Sequence, residues 1–448
     1  MSLSYVGWGS LWTQLKQPKL WSRDGIYRLS GCCFISFFGL GLVIGLLGPA
    51  LPPLADALNL KQAENLGFLF TIRGLGYFLG SLLFGFIGKW LSYRFLIAGG
   101  CLVLALTQVL IALSASTIQL GLFCFLVGFA STIQLGLFCF LVGFFSGFVD
   151  TGGNAAVGSL LAGDPLAETF MQALHFSFGL GAFTAPLLTS LLLSFSGSIA
   201  LAFFLVGLLC LCIGISFFGL TTNEACKKPT SKELTTAGEE EEGWTREEYD
   251  IQTNALTPLQ SNRKLLLVLT AFAAFFYVGC EIGFGGWIAT YSLNTHSVHT
   301  KASAALMASV FWASFTIGRL VSIPLSLYLS CRSILFLDLS GAIVSTIFGI
   351  FGFNLWVCSA SVGLFLSSSF PSSVSLVQSK TSVDQVSTSC LMVGASLGEI
   401  LIPFLLGESM KELGLGWYFP LCLVTMCLWG LGFILVLIQP SSYHCTSG

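Results

Sequence analysis

Twelve stretches of this chain stay apolar for longer than the core of a soluble helix requires: residues 29–51, 66–88, 95–114, 118–149, 168–194, 197–220, 264–292, 302–329, 333–353, 355–378, 386–407 and 416–438. About 20 apolar residues cross about 30 Å of hydrocarbon as a helix. In lipid a backbone must satisfy its hydrogen bonds within itself, which leaves helices or closed barrels. Segments of this length predict an all-α membrane protein with twelve transmembrane helices. Only 9% of the 448 residues are charged, too few to cover a water-exposed globule.

Lysine and arginine orient the segments, because short cytoplasmic loops are enriched in them. Lys16, Lys19, Arg23, Arg28, Lys89, Arg94, Lys227, Lys228, Lys232, Arg246, Arg263, Lys264, Arg332 and Lys380 fall on one side, against Lys61, Lys301 and Lys411 on the other. Both termini are then cytoplasmic. Arg73 and Arg319 remain inside spans. The fifteen cysteines are scattered through apolar segments without metal-site spacing and read as small buried hydrophobes. The chain contains no Gly-Lys-Ser/Thr phosphate loop, metal-binding His pair or nucleophile elbow, which argues against catalysis and ATP-driven pumping. No cofactor, metal or nucleic-acid partner is expected, and the chain is expected to act as a monomer in the lipid bilayer.

Residues 1–28 read as a cytoplasmic tail, with Trp8, Trp12 and Trp21 suited to the headgroup layer or to an unstructured tail. Residues 26–51 lack a cleavage site and read as a retained first span. Residues 29–220 and 263–438 form two six-helix units. Between them, residues 221–262, with Glu239–Glu242, read as a cytoplasmic disordered linker. Residues 439–448 form a second tail. The two units repeat each other: Gly41, Gly45, Gly48 and Gly80 return as Gly279, Gly283, Gly286 and Gly318 at an offset of 238, and Leu180-Gly181…Pro186 returns as Leu397-Gly398…Pro403 at an offset of 217. Parallel six-span repeats place a substrate site between the halves near the bilayer midplane.

Residues 115–129 and 130–144 are identical. Fifteen residues of helix rise only about 22 Å, too little for an extra span, so one copy is surplus and is expected to be pushed outward through the first copy.

Polar side chains interrupt the apolar pattern most densely between 150 and 188. An ionisable residue in a membrane helix costs roughly 3 kcal/mol or more, so a functional site is the first reading. Asp150 and Asn154 share one helix face, as do Gln172 and His175. Asp150 suits a coupling site because a desolvated carboxylate either takes up a proton or awaits a cation; the alternative is a buried acid satisfied by Arg73 or a helix end. Asn154, Gln172 and His175 offer the mixed donors and acceptors that sugar hydroxyls require, or interhelical hydrogen bonds. Glu281 lies among Gly279, Gly283, Gly285 and Gly286. Trp287 offers a face on which a pyranose could stack, or a belt residue at the outer interface. Glu399 faces the same way as Ser396 and Pro403 and ranks below Asp150 and Glu281. Arg319 reads as structural, paired with an acid or a carbonyl.

Asp150-Thr-Gly-Gly-Asn154, Met171-Gln-Ala-Leu-His175, Tyr277-Val-Gly-Cys-Glu281 through Trp287, and Phe370-Pro-Ser-Ser373 resemble the sodium-dependent glucose transporter family, relatives of bacterial fucose permeases within the major facilitator superfamily. The resemblance implies a major facilitator fold of two pseudo-symmetric six-helix bundles at the plasma membrane. It also implies alternating-access transport of a hexose or small neutral polyol, with sodium as the coupling ion. By resemblance, the coupling motif falls on Asp150 with Asn154 and the sugar-contacting one on Gln172 with His175; the reading of the residues themselves adds Glu399 to coupling, and Asn154, Glu281 and Trp287 to substrate binding. In the permeases the span-5 motif carries an amide where His175 stands, and span 1 carries an acid that residues 34–49 lack. A passive channel for urea or similar solutes is the alternative. A non-transporting scaffold is disfavoured, because clustered buried polar groups are costly without use.

Overall fold

Twelve crossings account for the long apolar segments. They are seen in a computed structural model that describes residues 24–88, 90–115, 131–161, 167–219, 246–326, 328–378, 380 and 385–439. Among these residues, twelve helical stretches are long and apolar enough to cross a membrane. Spans 1 to 6 are Asp24–Ala57, Phe68–Ile87, Tyr93–Ala115, Ser131–Leu160, Ala167–Ser196 and Ala200–Ser216. Spans 7 to 9 are Arg246–Asn294, Lys301–Leu325 and Cys331–Ile350. Span 10 is two helices, Leu355–Leu366 and Ser369–Gln378, followed by span 11, Gln385–Glu412, and span 12, Tyr418–Ile438. Twelve crossings put both described chain ends on one face, here the terminal face; the opposite one is the far face.

Three segment boundaries differ from expectation. Span 4 runs from Ser131 to Leu160 rather than 118–149, so the second copy of the repeated fifteen residues opens the span and Asp150 lies within it. Residues 116–130, most of the first copy, lie outside the described residues, as do Lys89 and most of both tails. Span 7 begins at Arg246, inside the stretch expected to be unstructured. A helix already nucleated in apolar sequence propagates into a polar one at one hydrogen bond per residue. Span 1 likewise begins at Asp24, within the expected tail.

Small residues set the packing. In lipid, helices gain little from hiding apolar surface and associate where backbones can approach closely. An added Cβ at Gly76 or Gly80 would run into the carbonyls of Phe140 and Phe144, and one at Gly143 or Gly147 into those of Arg73 and Tyr77. Spans 2 and 4 are thus locked backbone to backbone, with the second copy supplying half of the seam. Gly41 and Gly45 do the same for span 1 against Phe178 and Ala182 of span 5, and Gly394 and Gly398 for span 11 against Ala271 and Phe275 of span 7.

Each half forms a bundle, with span 3 packed on span 6 and span 9 on span 12 at the flanks. The halves meet through spans 1 and 7, 2 and 11, and 5 and 8. Among the described residues, neither span 4 nor span 10 has a packed interface with the opposite half. Outward-facing side chains such as Phe195, Leu208, Val268, Phe336, Phe348 and Ile434 are exposed and apolar, as a lipid-facing surface requires. Two cations cap helix ends on the terminal face. Arg94 donates from Nε to the Phe217 carbonyl at 2.7 Å and from Nη2 to that of Phe218 at 2.9 Å. Lys380 donates to the carbonyl of Leu437 at 2.8 Å and to that of Gln439. Both satisfy carbonyls that a helix end leaves without an intrahelical donor.

Candidate functional site

The close seam between spans 2 and 4 brings Tyr77 to Asp150. The phenol donates to Asp150 Oδ2 at 2.6 Å. Asn154, one turn further along span 4, donates to the Asp150 carbonyl at 3.0 Å and to Oδ1 at 3.3 Å. The carboxylate is therefore held by neutral donors. Among the described residues it has no ion-pair partner.

Arg73, one turn before Tyr77, pairs instead across the halves. Its Nη2 lies 2.8 Å from Glu399 Oε1 of span 11, with the side chains 3% and 8% exposed. Thr71 supports the crossing by donating to the Ile400 carbonyl at 3.0 Å. Nε and Nη1 of Arg73 are buried without an acceptor. Glu399 also lies within electrostatic range of both Asp150 and Glu281.

Gln172 and His175 of span 5 are half-buried, and neither side chain makes a hydrogen bond among the described residues. The His175 ring meets the edge of Phe37 at 5.9 Å. An added Cβ at Gly153 would meet the same Phe37 ring. Phe37 of span 1 thus links the Asp150–Asn154 face to the Gln172–His175 face.

Arg319 of span 8 closes this side of the site from the second half. Its Nη1 donates to the His175 carbonyl at 3.0 Å, its Nε to the Ser367 carbonyl at 3.4 Å, and its guanidinium lies 4.5 Å from the Phe315 ring. Ser367 has a free carbonyl for a local reason: Pro371 lacks the N–H that would bond back to it. The same break exposes the Leu366 carbonyl, which accepts from Tyr277 at 2.9 Å. Glu281, one turn beyond Tyr277, is buried and has no ion-pair partner within 4 Å among the described residues.

Trp287 does not present the expected stacking face, nor does it sit in an outer aromatic belt. It is fully buried, its Nε1 donates to the Pro403 carbonyl at 2.7 Å, and its ring packs on Phe70 at 5.5 Å. Glycines 67 and 407 make room for it. Trp287 is a wedge between spans 2, 7 and 11 toward the far face. Two further contacts join the halves there: Asn294 donates from Nδ2 to Glu64 Oε1 at 2.7 Å, and Lys301 pairs with Asp56.

The sequence expectations include Asp150, Asn154, Gln172, His175, Glu281 and Glu399 and do not include the buried polar contacts of Tyr77, Glu64 and Asp338. A tyrosine at i+4 from an intramembrane arginine was the available signal for Tyr77. Asp338, buried in span 9, accepts from Ser368 at 2.7 Å and Ser369 at 3.0 Å and so anchors the second helix of span 10. Among the described residues, no group of three His, Cys, Asp or Glu side chains could hold a metal ion.

Comparisons with known proteins agree with this architecture. The profile described as Major Facilitator Superfamily matches residues 33–388. The chain is 30% identical over 409 residues to sodium-dependent glucose transporter 1 of Homo sapiens, covering 83% of this chain and 71% of that one. It is 27% identical over 410 residues to sodium-dependent glucose transporter 1A of Mus musculus, covering 84% and 88%. Among solved structures, a D-xylose-proton symporter superposes with a TM-score of 0.70 at 13% identity, covering 93% of this chain and 99% of that one. At that identity the likeness is one of fold.

Proposed function

The chain belongs to the major facilitator superfamily, in the branch of sodium-dependent glucose transporter 1, and on that premise we propose that it carries a hexose or similar small neutral polyol across a membrane by alternating access, driven by a cation. The observation that carries this reading is a carboxylate, Asp150, held at mid-depth by a phenol and an amide and, among the described residues, by no cation. A buried charge without a countercharge is costly. A proton or a sodium ion arriving at Asp150 removes that cost, which ties the ion to the state of the site. Gln172 and His175, with polar atoms neither bonded nor sealed, supply donors and acceptors for hydroxyls. Glu281 and Glu399 add acceptors on the facing half.

Access follows from the packing. The halves are joined at the far face and down to the depth of Arg319, while spans 4 and 10 stay apart, so the site faces the terminal side in this conformation. With lysine and arginine enriched on that side, the terminal side is the cytoplasmic one. A channel for small solutes such as urea is less favoured, because polar groups gather at one depth and the far face is shut by Trp287 and Glu64.

Uptake of radiolabelled D-glucose into vesicles, with sodium and proton gradients imposed separately, tests the proposal. Asp150→Asn is expected to abolish gradient-driven accumulation and to leave equilibrative exchange intact; accumulation at the wild-type level in that variant removes Asp150 from coupling. Gln172→Ala is expected to weaken apparent affinity by about 1–3 kcal/mol through an unpaired hydroxyl.

A further inference from the structure

Spans 3 and 9 hold matching places in the two halves, since they begin 238 residues apart, at Tyr93 and Cys331, the offset that relates Gly80 to Gly318. At that offset Gly100 of span 3 corresponds to Asp338 of span 9. The first half closes this junction with a glycine: an added Cβ at Gly100 would meet Val149 and Phe145 of span 4, which runs unbroken from Ser131 to Leu160. The second half puts a carboxylate there, against a span broken in two. The fold does not require the acid, because the first half makes the same junction without one, and an intramembrane acid is costly.

Asp338 is 5% exposed, and its Oδ2 accepts from Ser368 Oγ at 2.7 Å and from Ser369 Oγ at 3.0 Å. Both serines are buried at the start of the helix Ser369–Gln378, whose N-terminal dipole also favours a negative charge. Among the described residues Asp338 has no ion pair. The helices of spans 10 and 12 that pack on span 9 contain no Lys, Arg, His, Asp or Glu, and Arg332, on the same helix as Asp338, is exposed toward the terminal face. From span 7 the phenol of Tyr277 comes within electrostatic range, its hydroxyl already given to the Leu366 carbonyl. The half-helix held by this contact is loosely backed. A small cavity lies behind it, lined by Thr270 and Tyr277 of span 7, Phe370, Ser373 and Val377 of the half-helix and Trp429 of span 12.

We propose that Asp338 is a proton-binding site that latches the second helix of span 10. Ionised, it holds both hydroxyls and keeps the half-helix against span 9, as in the conformation described here. A proton on it turns two charge-assisted hydrogen bonds into neutral ones about half as strong and lets the half-helix move. The latched form binds fewer protons, so acid favours the released one. Span 10 flanks the terminal opening, so the proton acts on an element that borders it. The alternating-access reading is needed only for the consequence that this movement closes the terminal side; the contact and its titration stand without it.

Full-length protein in lipid nanodiscs, without sugar, is followed by hydrogen exchange of peptides covering residues 369–378 between about pH 8 and about pH 5, with labelling times scaled to the intrinsic rate at each pH. In the wild type, protection of this segment is expected to fall about tenfold on acidification, while that of span 12 stays level. Asp338→Asn, which keeps the shape and removes the charge, is expected to show the low value at every pH. Ser368→Ala combined with Ser369→Ala is expected to do the same with the acid still in place; wild-type behaviour in that double variant overturns the latch. A wild-type segment equally protected across the range makes Asp338 a permanent cap and overturns it too. So does a fall shared equally by span 12, and so does a fall that persists in Asp338→Asn, which puts the titrating group elsewhere. The wild-type titration can overturn the latch by itself, so the test stands even where a variant fails to fold. Since no sugar enters the measurement, failure of glucose uptake leaves this outcome untouched.

Discussion

The two places where the halves of this protein hold each other are built from different chemistry. At mid-depth, full charges cross: Arg73 meets Glu399, and Arg319 reaches the carbonyl of His175. Toward the far face the crossings are an indole N–H on a carbonyl, an amide on a carboxylate, and a partly exposed ion pair. A charge crossing in a low-dielectric interior is held tightly by the penalty of leaving either partner alone, whereas contacts near water can be replaced by water when they open. The mid-depth crossing is thus the costlier of the two to break; of the three far-face contacts the Lys301–Asp56 pair is the one open to water, Trp287 and Glu64 being buried.

That contrast is breakable by graded substitutions, read as thermal unfolding of the protein in lipid. Glu399→Ala strands a buried guanidinium and is expected to cost most, about 3–5 kcal/mol; a loss below about 1 kcal/mol would show that Arg73 finds another acceptor. Asn294→Ala removes the described donor to Glu64 and is expected to cost about 1–3 kcal/mol. It should also raise the accessibility of far-face cysteine labels, a change Glu399→Ala at equal stability would sharpen by comparison. Trp287→Phe keeps the wedge and deletes the bond to Pro403, for an expected loss of about 1 kcal/mol. Lys301→Ala, with side-chain exposures of 36% and 63% across the pair, is expected to cost less than about 1 kcal/mol, a difference that should vanish at high salt. If it costs as much as Glu399→Ala, the two regions are not different in kind.

Much of this was legible in one dimension. Segment length gave the twelve crossings, and the repeated glycines gave more than the repeat. Gly41 and Gly45 press on the span 5 backbone and Gly80 on that of span 4, while their counterparts Gly279 and Gly318 are closed over by the Ile402 and Ser367 side chains, so the matched positions are where helices pack closely. Of the polar residues singled out by their cost in lipid, Glu281 and Glu399 are buried and Asp150, Asn154, Gln172 and His175 are half-buried. The role of Trp287 was not legible, because a tryptophan near a helix end suits a membrane interface as well as a wedge, and only the approach of Phe70 and Pro403 separates them. The unusual length of the repeated segment misled on where span 4 begins, since hydropathy reads two identical copies as equally apolar.

By itself, the sequence determined that the chain is a twelve-span helical bundle in two related halves, with acids and arginines buried among them, because hydrophobic length and periodicity are properties of each segment alone. Which acid each arginine takes was decided only in three dimensions. Arg73 chose Glu399 and left Asp150 to Tyr77; the nearby contact of Thr71 with Ile400 joins residues 329 positions apart. The rotation and register of helices that far apart are set by how glycine seams let backbones slide together, and a shift of one residue about a helix turns a side chain by about 100° toward a different partner.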